Sequence, residues 1–579
     1  MQVRSGFISD LWWKNAVIYG VDVKCFQDSD DDGIGDFPGL TERLEYLASL
    51  GVTCLWLLPI MPSPWRDNGY DVTDYYNVHP RLGTLGDVVD CLRTARELGL
   101  RVITDLVVNH TSDQHPWFQQ ARSSRDNPFR DWYVWRDRPD KEPEGVSFPG
   151  EEDSNWCFDE GTGQWYLHRF YHFQPDLNIE NPKVRREINK MMGFWLQLGF
   201  SGFRIDAAPF LIETAGIPGK TPDHDPQAPL RDMRGFLSRR RGDAILLGEA
   251  NVAPDRLTDY FGERGDELHL LLNFVLNQGL YLSLAREDPG PLRDHLEELP
   301  KVPRIGQFVN FVRNADELTL DKLSKPEQEE VFRRFAPEAS MRLYGHGIRR
   351  RLPPMVDGDR RRIELAYSLL FSLPDTPLLL YGEEIGLGDD LSTPGRGSVR
   401  VAMQWTDRPG GGFSDADPGE FLPPLVSEGP FGSRQVNVAA QRRDPRSLLN
   451  RVARMIHLRR EAPEIGFGRW RLLDTDQPGV LAHRCDWEGG TFVALHNFTG
   501  NAVQVKLDLG DDDVEGVGAG RVEELFADQA EEHLETVPPE PPGARPPFAL
   551  QPFGYQWLRL HRDDGSDGFR AGGPTASSG

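Results

Sequence analysis

Short apolar segments alternate with amphipathic ones along the first part of the chain. Residues 16–23, 54–60 and 101–108 are near-continuous apolar runs, and residues 40–47 and 88–98 have the spacing of helices with one buried face. Apolar strands that alternate with helices are typical of a parallel sheet covered by helices on its faces. The pattern therefore predicts an α/β fold built from strand–helix units.

This alternation is interrupted and then resumes. Residues 111–178 are rich in Trp, Pro and Gly, which indicates a domain inserted after the third strand. Five more strands are predicted at residues 202–205, 244–247, 268–274, 307–312 and 377–381, and a helix at residues 447–460 closes this part. Eight strands in this order predict a (β/α)8 TIM barrel with a small inserted domain after strand 3.

The C-terminal part has a different periodicity. From about residue 466, short alternating segments such as 480–484 and 492–496 are separated by Gly and Asn turns, which predicts an antiparallel β-sandwich domain. The predicted barrel comprises residues 1–110 and 179–462, the inserted domain residues 111–178, and the C-terminal domain residues 463–562. Residues 563–579 are rich in Gly, Ser and Asp and are predicted to be disordered.

Composition narrows the class of partner. Of 579 residues, 39% are hydrophobic and 27% charged, and the mean hydropathy of -0.50 is that of an ordinary globular protein. A net charge of -25 argues against nucleic acid or an anionic membrane as partner, because both would repel the chain. The N-terminus lacks the features of a signal peptide, so a cytoplasmic location is expected. Five cysteines without a C-x-x-C pair predict free thiols. The oligomeric state is left open.

Polar side chains follow the predicted strands at the ends where a barrel builds its active site. They are Asp105, Asn109 and His110 at the third strand, Arg204 and Asp206 at the fourth, Glu249 at the fifth, and Asn314 and Asp316 at the seventh. Each carboxylate alone could be a structural ion pair that closes a core strand. Together they predict acid/base and nucleophilic chemistry on a neutral, hydroxyl-rich substrate. Glycoside cleavage with retention needs two carboxyl groups about 5 Å apart.

An acidic loop at residues 28–36 spaces its carboxylates two apart around a Gly turn, which suits a hard cation with oxygen ligands. An EF-hand would need Glu where Gly39 stands, so that motif is excluded. The alternative is a solvated acidic turn. Mutual repulsion within so dense a cluster favours a bound divalent cation, calcium or magnesium, over the solvated turn.

Several of these segments resemble a known family. Residues 105–110 (DLVVNH), 202–206 (GFRID), 248–249 (GE) and 311–316 (FVRNAD) resemble, in order, the four conserved regions of the α-amylase superfamily, glycoside hydrolase family 13. Residues 174–178 (QPDLN) are similar to the motif of its oligo-1,6-glucosidase and trehalose synthase branch. The resemblance covers nearly the whole chain.

The resemblance implies a retaining enzyme that cleaves the terminal glucose of maltose or a short α-1,4-glucoside through a covalent glucosyl-enzyme intermediate. Asp206 is then the nucleophile, Glu249 the general acid/base, and Asp316 the carboxylate that stabilises the transition state. Arg204 is expected to keep Asp206 ionised by lowering its pKa. The implied substrate-binding residues are Asp67, Tyr70, His110, Arg204 and Arg400.

The resemblance also implies one calcium ion and no organic cofactor. Its expected ligands are the carboxylates of Asp28, Asp30, Asp32 and Asp36 and the main-chain carbonyl of Ile34.

Two segments depart from the family pattern. Ala315 stands where the fourth region usually has a His that hydrogen-bonds the sugar, and Val401 and Ala402 replace a usual Thr-Pro pair. Loss of a donor that acts in the transition state predicts slower catalysis. Three functions are left open: transfer of glucose as in trehalose synthase, hydrolysis as in an α-glucosidase or α-amylase, and sugar binding with weakened catalysis.

Overall fold

Eight parallel strands close into a barrel in the computed structural model, which describes residues 9–139, 146–212, 225–507, 522–528 and 548–560. In chain order each strand pairs with the next, and the eighth pairs with the first. Nearly every strand residue is buried, because helices cover the outside and side chains fill the inside. This confirms the predicted (β/α)8 barrel. The strands are Ile18–Val21, Cys54–Leu57, Arg101–Leu106, Gly202–Ile205, Ile245–Gly248, Leu270–Leu272, Gln307–Phe311 and Thr376–Leu380.

Several strands are shorter than the apolar runs that predicted them. The run at residues 54–60 forms a strand only to Leu57, because Pro59 lacks the N–H that a sheet requires. Residues 58–60 form a buried loop, so the apolar run extends beyond the last paired residue of the strand.

The described α-helices lie mainly between the barrel strands. The predicted helix at residues 40–47 is divided at Arg43, whose side chain donates to the Gln27 side-chain oxygen at 2.8 Å. The helix predicted at residues 88–98 begins earlier, at a capping box of Thr84 and Asp87. The helices are Phe37–Glu42, Leu44–Leu50, Leu85–Glu97, Pro116–Ala121, Pro182–Leu198, Ala208–Ile212, Ala228–Arg240, Phe274–Arg286, Gly290–Glu298, Lys325–Phe335, Leu352–Met355, Arg360–Ser372, Val438–Arg443, Leu448–Glu461 and Pro463–Phe467.

Two small antiparallel sheets lie in the connections after barrel strands 3 and 7. After strand 3, the strands Trp135–Arg136 and Trp156–Asp159 both pair with Gln164–Leu167. After strand 7, Leu318–Thr319 and Arg342–Leu343 both pair with Gly347–Ile348. Both connections therefore carry ordered structure toward the C-terminal face of the barrel.

The C-terminal part is antiparallel, as predicted. Strands Arg469–Leu473, Val480–Trp487, Gly490–Asn497, Tyr555–Leu560 and Val522–Ala527 form one sheet in that spatial order, and Val503–Val505 pairs with Phe548–Leu550. One apolar cluster is shared by both sheets. The predicted disordered tail, residues 563–579, lies outside the described residues, and the domain boundaries stay predictions. No helix in the described ranges has the length and apolar character needed to cross a membrane.

Candidate active site

The strand-end side chains meet at a cavity of about 600 Å³ at the C-terminal face of the barrel. A ligand pocket for a small molecule commonly has about 300–1,000 Å³. Six residues of the predicted site line it: Asp67, Tyr70, His110, Asp206, Glu249 and Asp316. These six residues come from five separate connections of the barrel and meet around one cavity.

Arg204 is the centre of the charged group at the bottom of this cavity. Its Nη1 lies 2.6 Å from Asp206 Oδ1 and 2.7 Å from Asp105 Oδ1, and its Nη2 lies 2.6 Å from Glu249 Oε2. Arg204 and Asp206 share a direction because they are two residues apart at the end of a strand. One guanidinium group thus holds the predicted nucleophile and the predicted general acid side by side.

The backbone explains why the fourth and fifth strands present these two carboxyl groups together. Gly202 has a φ of 148°, and a Cβ built there would collide with the main-chain oxygen of Ile245 on the fifth strand. Directly after Asp206, Ala207 has a φ of 49°, and its N–H donates to Glu249 Oε2 at 3.2 Å. A non-glycine residue keeps a left-handed conformation only where the surrounding contacts hold it. The peptide after Asp206 therefore fixes the side chain of Glu249.

Burial raises the pKa of both carboxyl groups. The pKa of Asp206 is raised to about 6 and that of Glu249 to about 7, because burial outweighs the opposing effect of Arg204. Arg204 lowers the pKa of Asp206, as the sequence predicts. Burial raises that pKa by more, so the net shift is upward. Burial likewise raises the pKa of Asp105 to about 6, so three carboxyl groups share one cation.

Asp316 has the opposite electrostatics. Burial disfavours its charge, but Arg396 and Arg400 outweigh that effect and lower its pKa to about 2. Arg400 Nη2 lies 2.9 Å and Arg396 Nη1 3.3 Å from Asp316 Oδ1. Arg400 Nε also donates to the Ala315 carbonyl at 2.9 Å. Asp316 is thus a fixed carboxylate at neutral pH, beside two carboxyl groups that titrate.

The predicted sugar-binding residues occupy two layers. Asp67, Tyr70 and His110 line the cavity, whereas Arg204 and Arg400 lie behind the carboxylates that they orient. His110 Nε2 lies 3.1 Å from the Tyr70 carbonyl, an arrangement in which the ring N–H donates. Burial lowers the pKa of His110, so the ring is neutral and serves as a hydrogen-bonding group.

Ala315 is 2% exposed and is packed in the apolar core, although Asn314 and Asp316 on either side of it line the cavity. The methyl group therefore supplies no polar contact to a bound sugar. The carbonyl of Ala315 is used instead, since it accepts the hydrogen bond from Arg400.

Sequence reasoning missed several residues at the cavity. Gln174 Nε2 donates to Asp67 Oδ2 at 2.9 Å, and it lies 3.2 Å from His110 Nε2, so it packs directly behind two lining residues and orients Asp67. The QPDLN motif was the available signal, but the motif alone does not show which side chain faces the site. Arg396 lies only four residues before Arg400, and that spacing could have suggested it. The other missed lining residues include Phe148, Phe170, Phe210, Asn251, Glu317, Asp321, Lys322 and His346.

The acidic loop forms a separate candidate metal site. Asp28, Asp30 and Asp36 each place a carboxylate oxygen within 4.8 Å of the others. Asp32 is engaged differently, because its Oδ2 lies 3.1 Å from Arg81 Nε. Burial, together with repulsion from Asp32, Asp36 and Asp28, raises the pKa of Asp30. The charge that these carboxylates share is what a divalent cation would neutralise, so three of the five predicted ligands fit such an ion.

Fold and site together define a class of protein. A parallel barrel that gathers three carboxyl groups around one cavity at its C-terminal face, two of them held by one Arg, is the arrangement of a glycoside-cleaving enzyme.

Comparison with known proteins gives the family. Residues 21–287 and 330–468 match the family model of the α-amylase catalytic domain, and the chain belongs to this family. It is 43% identical over 476 residues to the trehalose synthase/amylase TreS of Mycolicibacterium smegmatis, covering 82% of this chain and 80% of that protein. It is 31% identical over 552 residues to the oligo-1,6-glucosidase of Halalkalibacterium halodurans, covering 85% and 91%. The crystal structure of the trehalulose synthase MutB from Pseudomonas mesoacidophila MX-45 matches with a TM-score of 0.72 at 25% identity, covering 95% of this chain and 99% of that one.

Proposed function

We propose that the protein converts maltose by the reaction of a trehalose synthase. The observation that carries this proposal is the arrangement of Asp206, Glu249 and Asp316 around one cavity, with Arg204 2.6 Å from both Asp206 and Glu249 and Arg400 2.9 Å from Asp316. The higher identity to a trehalose synthase than to an oligo-1,6-glucosidase supports transfer over simple hydrolysis. The cavity volume of about 600 Å³ suits a disaccharide.

In the first step the carboxylate of Asp206 attacks the anomeric carbon of the non-reducing glucose. The C–O bond to the second glucose breaks, and Glu249 gives its proton to the departing oxygen. Asp206 is then covalently bound to glucose, and Glu249 is ionised. Glu249 keeps 23% of its side chain exposed, more than the 8% of Asp206 or the 15% of Asp316, so it faces the cavity where the leaving oxygen lies.

In the second step Glu249 takes a proton from the attacking hydroxyl group. Attack by the anomeric hydroxyl of the released glucose gives trehalose, and attack by water gives a second glucose. The net reactions are maltose to trehalose, and maltose plus water to two glucose. Incubation of the protein with maltose, followed by chromatography, tests the proposal. Trehalose is the expected main product. Glucose as the only product would show that the protein is a hydrolase, and the absence of any product would indicate that it binds sugar without converting it.

Ala315→His is expected to raise kcat on maltose more than it lowers KM. A donor aimed at the transition state is worth about 10²–10³ in kcat, so partial recovery of that contact should give about tenfold or more. The control is Ala315→Leu, which adds volume without a donor. Equal gains for His and Leu would assign the effect to packing. A loss of activity with His would mean that the position is shaped for a different sugar.

We infer that the acidic loop binds calcium through Asp28, Asp30 and Asp36, with magnesium as the second candidate. The ion would tie the loop after the first strand to the start of helix Phe37–Glu42, since Asp36 Oδ1 also accepts the Gly39 N–H at 2.6 Å. It would stabilise the fold and take no part in the reaction, because these residues do not line the cavity.

Removal of this ion is expected to lower the melting temperature by a few degrees, since a ligand that binds the folded state alone stabilises it. The measurement is thermal unfolding with and without a chelator, together with elemental analysis. Asp30→Asn should abolish the chelator response, whereas Asp32→Asn should retain it, because Asp32 is paired with Arg81. If the protein contains no metal and a chelator leaves its melting temperature unchanged, the loop is an acidic turn without a bound ion and the inference is wrong.

A further inference from the structure

We propose that the paired hydroxyl groups of Tyr171 and Tyr344 determine how much of the glucosyl-enzyme intermediate is lost to water. This inference rests on the proposed function, because it concerns the second step of that reaction. The two hydroxyl oxygens lie 3.1 Å apart, so one hydroxyl donates to the other.

The two tyrosines come from different connections of the barrel and meet behind the cavity-lining ring of Phe148. Tyr171 belongs to the connection after barrel strand 3, and Tyr344 is at the tip of the hairpin between Arg342–Leu343 and Gly347–Ile348, after barrel strand 7. The ring of Phe148, which lines the cavity, contacts both, with centroids 4.6 Å from Tyr171 and 4.7 Å from Tyr344. The pair therefore closes the wall behind Phe148 and joins the inserted segment to the barrel.

The hairpin tip is held in an unusual backbone conformation. Tyr344 has a φ of 52°, in the left-handed region that aromatic residues rarely adopt, and Gly345 follows with a φ of 73°. Such a conformation persists only when surrounding contacts hold it. The Tyr344 side chain contacts the rings of Phe148 and His346, the Tyr171 hydroxyl and the guanidinium of Arg396, whose Cζ lies 5.7 Å from the Tyr344 ring.

The same wall is connected to the reacting groups. Arg396 lies 5.0 Å above the ring of Phe148 and pairs with both Asp316 and Glu317. A gap between Tyr171 and Tyr344 would therefore open next to the residues that hold the sugar. Burial raises the pKa of both tyrosines, so they stay neutral hydrogen-bonding groups at any working pH.

The ratio of glucose to trehalose reports how much water passes this wall and reaches the glucosyl-enzyme intermediate. After the first step, the ester between Asp206 and glucose is broken either by the hydroxyl of the retained glucose or by water, and Glu249 accepts the proton in both cases. The two routes differ only in the attacking oxygen. A looser wall admits water and releases glucose, so it raises the fraction of glucose among the products.

The test uses Tyr344→Phe and Tyr171→Phe, which keep the rings and remove one hydroxyl each. With maltose, each variant should raise the ratio of glucose to trehalose at least threefold, and the ratio should change more than the rate of maltose consumption. The double variant should give the same ratio as either single variant, because all three lack the same hydrogen bond. Tyr76→Phe is the matched control: its hydroxyl donates to Glu187 at 2.6 Å outside the cavity, and its ratio should equal that of the wild type.

Unchanged ratios in both single variants overturn the inference, and so does a shift of the same size in Tyr76→Phe. The same ratios are measured with α-glucosyl fluoride as donor and ¹³C-labelled glucose as acceptor, so that unlabelled glucose reports hydrolysis and half-labelled trehalose reports transfer. If the wild type leaves maltose intact but uses the fluoride, the proposed function fails while the inference is still decided by the fluoride ratios. If neither donor reacts, both proposals are wrong.

Discussion

Asp206→Asn is expected to lower kcat/KM on maltose by about 10⁴-fold or more, the order of loss seen when a nucleophile is removed. An amide cannot form the ester with glucose, whereas its shape and its hydrogen bond to Arg204 can be kept. Steady-state kinetics with maltose measures the effect. Activity within tenfold of the wild type, in a protein that folds, would remove Asp206 from the role of nucleophile.

Asp105→Asn is the matched control for this variant. Asp105 has the same contact with Arg204, at 2.7 Å, and a pKa that burial also raises to about 6, but it does not line the cavity. Its loss should misplace Arg204 and cost no more than about 10²-fold. If Asp105→Asn loses as much activity as Asp206→Asn, then the loss in Asp206→Asn comes from the changed charge around Arg204, and Asp206 is not shown to be the nucleophile.

The stability of Asp206→Asn follows from the sign of the pKa shift. Because the folded state raises the pKa of Asp206 from 3.8 to about 6, the ionised carboxylate costs stability above that pH, and the cost fades as pH falls toward 4. The neutral amide removes it. The melting temperature of Asp206→Asn at pH 7 should therefore equal or exceed that of the wild type, and the difference should diminish in acid.

The barrel could be predicted from sequence because its strands are buried on both faces. Each strand is then an apolar run, and each run ends where a polar residue begins, as Asp206 follows Ile205 and Glu249 follows Gly248. Strand ends were less predictable. The segment at residues 54–60 shows why: burial continues beyond Leu57 although pairing ends there.

The candidate site was predictable to the extent that its residues lie at strand ends. Phe148 and Arg396 come from long connections far apart in the chain, and only the folded chain shows that they contact each other. The protonation of the site also depends on the folded arrangement of its charges. Sequence predicts that Arg204 lowers the pKa of Asp206, but three carboxyl groups around one buried guanidinium give a net rise.

Glu249→Gln is expected to lower kcat on maltose by about 10²–10⁴-fold, the usual contribution of a general acid. The glutamine keeps the volume and can still accept the Ala207 N–H, but it has no proton to give to the leaving oxygen. With α-glucosyl fluoride, whose leaving group needs no proton, the first step should be nearly as fast as in the wild type. Because the second step then lacks its base, glucose bound to Asp206 should accumulate and be detectable by mass spectrometry.

The pH profile gives a second, independent measure of the same residue. In the wild type, kcat/KM on maltose should fall below about pH 6, where Asp206 becomes protonated, and above about pH 7, where Glu249 loses its proton. Because Asp206 and Glu249 share Arg204, the two apparent pKa values in this profile describe the pair together and neither residue alone. Glu249→Gln should abolish the alkaline limb and keep the acid one.

Glu267→Gln is the control, because burial raises the pKa of Glu267 to about 7 as well, but this residue pairs with Arg231 away from the cavity. Both limbs should survive in Glu267→Gln; an alkaline limb that survives in Glu249→Gln would transfer the role of acid to another group.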